Sequence, residues 1–479
     1  MTISTIKSRR TLPITLAFAL SSLVAISGCT KPSQDSATET QEQTSVAEGN
    51  NKNSAGNQAN TDRLLLSYTD IAHAAYKDSL ETAKALQTAV NAYVDMPNDT
   101  TLQAAKAAYR VARIPYSQTE VFRFDEGFVS ANDKRAIDNV DGWEAQVNAW
   151  PLDEALIDYV DDSYEGEYNS KDNIINSESI SVGSLKQDTT TITPELLADM
   201  NEIGGSEANV TTGYHAIEFL LWGQDTNGVT EGAGNRPASD YVTAAGKCTS
   251  GDTVNEDATI CERRGDYLKA ATQLLVNDLT AMEAQWQPES ENTLRSDILA
   301  RRNSNGLRHI MYQMGSLALG ELASQRMQVA FVTGSTEDEH ECFSDLTYLS
   351  YANNALGIQN LFKGSYKTVS GDSVGGYGLK QYLIDTNNKE AADKLAADFT
   401  QVENAFTVIV NKAEKDNIKI DQMIATAGQV SKNGISAEEQ NIRRGWMEAA
   451  ITSLQQLTDS LENAAKVVGI DNLDADTGA

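Results

Sequence analysis

Basic residues are scarce in this chain of 479: 38 Lys and Arg stand against 68 Asp and Glu, a formal charge of −30. That balance argues against a nucleic-acid partner, whose phosphates demand Lys/Arg patches, and it enriches cations near the surface instead. Histidine is scarcer still, with only His73, His215, His309 and His340. No His-Glu-x-x-His occurs, which counts against a zincin-type peptidase. The glycines of 371–378 lack the Gly-Lys-Ser/Thr ending of a phosphate loop and read as a flexible connection. Alternating apolar patterns are short and confined to polar stretches near Ile174 and Ile192, so extended sheet is not expected.

Long apolar runs are also missing, save one at the start. Lys7, Arg9 and Arg10 precede an apolar stretch, Leu12 to Ile26, too short for a membrane span. It closes on Ile26-Ser27-Gly28-Cys29, which resembles a bacterial lipoprotein signal. The resemblance implies cleavage after residue 28 and a lipid on Cys29. The other reading is an ordinary secretory signal with a chance cysteine. Thr30, rather than Asp, follows the cysteine, which by resemblance to Gram-negative lipoproteins favours the outer membrane. From Cys29 to about residue 60 the chain has almost nothing apolar to offset its ordering entropy. It reads as a flexible tether with a reach of roughly 30 Å.

Three cysteines then remain. Cys248 and Cys261 bracket a polar loop, and in an oxidising compartment a disulfide between them is expected. Cys342 is left as a buried thiol.

What the body does have is helical periodicity. Apolar residues repeat at 3.6-residue spacing from Asp62 to Tyr93, and again from Leu307 to Met327. Further helical patterns cover 102–113, 261–286, 343–362, 391–412 and 437–468. The fold class is all-α: two helical-bundle domains, 61–236 and 237–479, joined by long polar connections, with the break near Gly234-Asn235-Arg236-Pro237. A weak echo between 97–105 and 386–394 is compatible with duplicated halves.

The sharpest chemistry lies in Gly213-Tyr214-His215-Ala216-Ile217-Glu218. A His and a Glu three apart share one helix face and can aim at a single metal ion. A buried His bonded to a neighbouring Glu is the bland alternative. The apolar run Phe219-Leu220-Leu221-Trp222 raises the cost of leaving either group unsatisfied. Asp225 beyond it is a supporting partner or a loop cap. In 112–124, Pro115 should start or kink a helix, leaving Tyr116, Glu120 and Arg123 on one face. Glu120 is then a candidate third ligand, with Arg113 or Arg123 balancing charge; a structural Glu–Arg pair is the alternative. In Glu337-Asp338-Glu339-His340-Glu341, His340 is a further candidate ligand, unless the acids simply stabilise a helix start.

Together these segments resemble the imelysin family, also known as iron-regulated protein A proteins. The carrying residues are Gly213 through Gly223, matching a Gly-x-His-x-x-Glu motif, with 113–124, 234–236, 261–264, 315–326 and 337–345 in support. The resemblance implies two helical bundles with the His-x-x-Glu near their interface, a bacterial envelope location and a link to iron uptake. Carried over by residue, His215 and Glu218 match the motif, and Glu120 an acidic position beside it. After Asp345 this chain reads Leu346-Thr347-Tyr348 where relatives carry Asn-Thr-His, which removes one candidate ligand. The leading expectation is a lipoprotein that binds iron, with zinc as the other metal, or that binds a metal-carrying ligand and passes it to transport proteins. A metallopeptidase and a metal-free ligand- or partner-binding module are the rivals.

Overall fold

Caps and chain-breaking residues set the first helix boundaries. The computed structural model describes residues 43–124, 140–162, 164, 172–301 and 304–473. The signal segment 1–28, Cys29 and the tether up to residue 42 lie outside the described residues. Helix α1 spans Gln43–Asp95 and stops before Pro97, which disfavours helical backbone in the residue ahead of it. Asn98 then accepts from the amides of Thr100 and Thr101 at 3.0 and 3.2 Å and opens α2, Asp99–Thr119. Helix α1 therefore begins inside the stretch read as coil, and residues 57–59 within it are exposed. Pro115 neither starts nor ends α2 but sits within its last turns.

Short elements follow: α3 (Val140–Asn148), α4 (Glu154–Ile157), α5 (Pro194–Met200) and α6 (Gly213–Trp222). The next run is α7 (Thr259–Trp286), α8 (Leu294–Ala300) and α9 (Ser304–Gly315). Helix α9 passes without a break into a π-helical segment, Ser316–Gln328, and on into α10, Val329–Thr333. The remaining elements are α11 (Thr347–Lys363), α12 (Leu379–Asp385), α13 (Lys389–Lys415), α14 (Ile420–Ile424), α15 (Ala427–Val430) and α16 (Ala437–Val467). The fold is all-α; its sheets are two-stranded hairpins only. The strands do not fall at Ile174 or Ile192. The hairpin between them is Ser179–Val182 with Leu185–Asp188, where Ile180 and Val182 alternate inward before a turn at Gly183; the other two pair Thr249–Ser250 with Thr253–Val254 and Ser365–Lys367 with Ser373–Gly375.

Long amphipathic helices pack pairwise. Helix α13 buries Leu395, Phe399, Val402, Phe406 and Ile409, a stripe at helical spacing, and lies along α16 with its Leu454, Leu457 and Leu461. Helix α2 lies along α11, and α6 along α7. Residues 53–479 form one compact unit, and the 232–239 stretch runs inside it. There Arg236 is buried with Asp158 at 2.6 Å, and Asp158 also takes Arg264 at 2.6 Å. The two echoing stretches both lie at helix starts, Asn98 before α2 and Asn388 before α13, but only Asn98 caps with its side chain. Cys248 and Cys261 are joined by a disulfide, and Cys342 is a buried free thiol.

Candidate functional site

Helix α6 is seated by its first residue. Gly213 has φ of +75°, and a Cβ there would stand 2.3 Å from the Val147 carbonyl oxygen at the end of α3. Gly213→Ala should therefore cost more than about 1 kcal/mol, read as a lower midpoint in chemical denaturation. The same close approach brings α6 under the loop after α3. Every residue from Gly213 to Trp222 is buried.

Within α6, His215 Nδ1 lies 3.1 Å from Glu218 Oε2. Glu218 is almost fully engaged. Its Oε1 accepts from the Ser344 amide at 3.0 Å and the Ser344 hydroxyl at 2.6 Å, and its Oε2 from the Tyr109 hydroxyl at 3.2 Å. Burial pushes the Glu218 carboxyl up to about 7, against the pull of these donors and of Arg113. In its ionised form the carboxylate only accepts, and it then holds the His215 proton on Nδ1 and leaves Nε2 as a bare lone pair. Glu218 thus orients His215 rather than standing beside it as a second ligand. His215 Nε2 has no hydrogen-bond partner.

A second imidazole faces the first. The His340 ring is 4.7 Å from that of His215, edge to face, and its Nδ1 also has no partner. Burial first, then the Arg113 charge, lowers the His215 pKa to about 3. Burial, with Arg326, His215 and Arg113, holds His340 well below its usual range. Both rings are neutral at physiological pH, the state a metal ligand requires. Trp150 covers the pair, its ring 5.0 Å from His215 and 6.4 Å from His340.

Beneath the pair sits a buried ion pair. Arg113 donates through Nε to Glu341 Oε1 at 2.6 Å and through Nη1 to Asn148 Oδ1 at 2.7 Å. Its guanidinium also stacks 4.7 Å from the Tyr214 ring centre. Tyr116 packs against Tyr214 at 4.7 Å and belongs to the core.

Glu120 does not join His215 and Glu218 as a third ligand. It pairs with Arg326 and accepts from Asn354 Nδ2 at 3.2 Å. Burial pushes its carboxyl up, but Arg326, Arg123 and Arg113 overcome that and hold it below the usual range. The structural Glu–Arg reading applies, with Arg326 as the main partner. Arg123 binds Glu321 at 2.8 Å. Glu321 and Arg326 are five residues apart and bond at 2.9 Å, because the π winding sets positions i and i+5 over one another. Asp225 caps its own loop, accepting from the Asn227 amide at 2.8 Å.

Among the described residues, no group of three His, Cys, Asp or Glu side chains is placed to hold a metal ion. His215 and His340 offer two neutral imidazole nitrogens, a donor type suited to iron or zinc. A cavity of about 440 Å³ adjoins His340, lined among others by Arg123, Asn148, Trp150 and Arg326. Tyr348 bonds to other partners: its hydroxyl donates to Glu414 at 2.6 Å and accepts from Arg110 at 2.7 Å.

The supporting segments meet here, since the Gly234 amide donates to the Phe343 carbonyl at 2.8 Å and ties 234–236 to the His340 loop. The sequence model of the family described as Imelysin matches residues 72–461. The chain belongs to the imelysin family. Two solved structures share its fold. One is described as an iron-regulated protein A precursor from Parabacteroides distasonis, 14% identical, with a TM-score of 0.55 over 84% of this chain and 95% of that one. The other is an imelysin-like protein from Psychrobacter arcticum, 12% identical, with a TM-score of 0.51 over 88% and 98%. No curated protein matches. In this imelysin-family chain, sequence reasoning missed Trp150, Tyr109, Ser344 and Arg326. Of these only Trp150 carried a signal, as one of five tryptophans and next to a proline.

Proposed function

We propose that this imelysin-family protein binds iron for uptake across the bacterial envelope, holding the ion at His215 and His340. The observation that carries the reading is a pair of buried, facing imidazoles, each with one ring nitrogen free of any hydrogen bond, His215 being aimed by Glu218. With two donors from the chain, the remaining positions fall to water or to a small chelating ligand reaching in from the 440 Å³ cavity. The ion is cargo, delivered onward to transport proteins, while a lipid on Cys29 keeps the body at the outer membrane. Membership beside a protein described as iron-regulated favours iron over zinc. A metallopeptidase with Glu218 as general base is less well served, because both Glu218 oxygens already accept hydrogen bonds.

Elemental analysis of the purified protein after iron loading tests this. The wild type should retain iron, and His215→Ala and His340→Ala should each lose most of it. Equal metal content in all three sinks the proposal.

A further inference from the structure

Two cavities meet at one side chain. Trp150, with Pro151 beside it, lines both the 440 Å³ cavity and a second of about 710 Å³. The second also has Asp161, Asp225 and Glu337 in its wall and, among the described residues, no Lys or Arg. His340 lines the first cavity, whereas His215 lines neither. What stands over His215 is the indole, 5.0 Å from its ring and braced against Phe343 at 5.6 Å.

We infer that Trp150 is the access-determining residue of this centre, the barrier any ligand coming from either cavity must pass to reach His215 Nε2. The indole is well suited to that role. It sits on the irregular stretch between α3 and α4 rather than within a helix, and it is only half-buried although its inner face packs on buried rings. A rigid bicyclic side chain fills the space that a hydrated cation, or a cation with its chelator, would need. The acid-lined cavity gathers cations on one side of it. His340 borders the first cavity and His215 does not, so the two imidazoles are unequal: His340 meets the ligand first and His215 closes on it after the indole gives way. The identity of the ligand rests on the iron reading above; the barrier itself does not.

Acylation by diethyl pyrocarbonate, which attacks the free nitrogen of a neutral imidazole, measures access directly when followed by peptide mass spectrometry. Modification of a covered group needs local opening, so Trp150→Ala should speed labelling of His215 by about tenfold or more. His309, buried elsewhere against Tyr68, is the control for general loosening and should label at the wild-type rate. Trp150→Leu, which keeps an apolar side chain, should give a smaller acceleration and carries the test if the alanine variant is poorly folded. An unchanged His215 rate, or a rise matched by His309, overturns the inference. Anaerobic ferrous binding followed by stopped flow adds a second arm, with faster uptake at unchanged stoichiometry expected in Trp150→Ala. If no variant binds iron, the iron reading fails while the labelling rates still decide the role of Trp150.

Discussion

Replacing Arg113 with methionine should lower the stability of the fold by about 3–5 kcal/mol, the scale for breaking a buried ion pair by removing one partner. The guanidinium is fully buried, and three of its contacts are with other buried groups: Glu341, Asn148 and the Tyr214 ring. Without it Glu341 keeps only the Ser350 hydroxyl and must take up a proton or remain a buried charge. Urea denaturation of the variant, read at constant slope, measures the loss. The double variant Arg113→Met with Glu341→Leu should recover most of it, because replacing both ions by apolar groups avoids the orphaned carboxyl. A single variant within about 1 kcal/mol of wild type would rule out the pair as a major contributor. There is a functional consequence too. After burial, Arg113 is the largest influence lowering His215, so its loss should raise the imidazole pKa from about 3, visible by NMR titration.

The periodic stripes made the long helices legible from residues alone. Leu64 to Tyr93 and the α13 stripe repeat every 3.6 residues over many turns, and such repeats leave little choice of structure. His215 was legible for a different reason: an imidazole and a carboxylate three apart in an apolar run demand an explanation. What could not be read was who supplies it. Ser344 and Tyr109 reach Glu218 across more than a hundred positions of chain, and nothing in their local context marks them. Glu120 shows the converse. Its spacing permitted a ligand role, but the partner that claims it, Arg326, stands on a π-helical segment whose i, i+5 geometry a 3.6-residue reading cannot anticipate. Local pattern fixes faces; the pairing of faces depends on contacts distant in sequence.

The loop that carries His340 should also make the protein less stable as pH rises from about 6.5 to 8, the range just above an ordinary histidine pKa. Glu339 and Asp421 are buried, and hydrogen bonds satisfy neither carboxyl well. Burial pushes both well above the usual carboxylate range; Asp421 pushes Glu339 further, as Asp345 and Asp225 push both, while Thr347 on Glu339 and the Gln422 amide and Lys419 on Asp421 pull back. Burial likewise raises Asp345 to about 7. In the unfolded chain these groups ionise near 4, so between there and their folded values the native state binds more protons. Their stabilising contribution is complete below about pH 4 and is lost as pH rises through the folded pKa values. The histidines act in the opposite sense, but only below about 6.5, where the unfolded imidazoles begin to protonate. Lys106, lowered by burial to about 8, opposes the carboxyls only above the window. The carboxyls therefore dominate between the two limits. Differential scanning calorimetry should find the wild-type Tm falling across this range. Glu339→Gln with Asp421→Asn should flatten the slope and raise the Tm at pH 8, by roughly 2–4 °C for each kcal/mol of charge burial relieved. A double variant with the wild-type slope would mean that these carboxyls are already ionised in the folded protein. In that case a bound cation, rather than protons, would have to neutralise the loop beside His340.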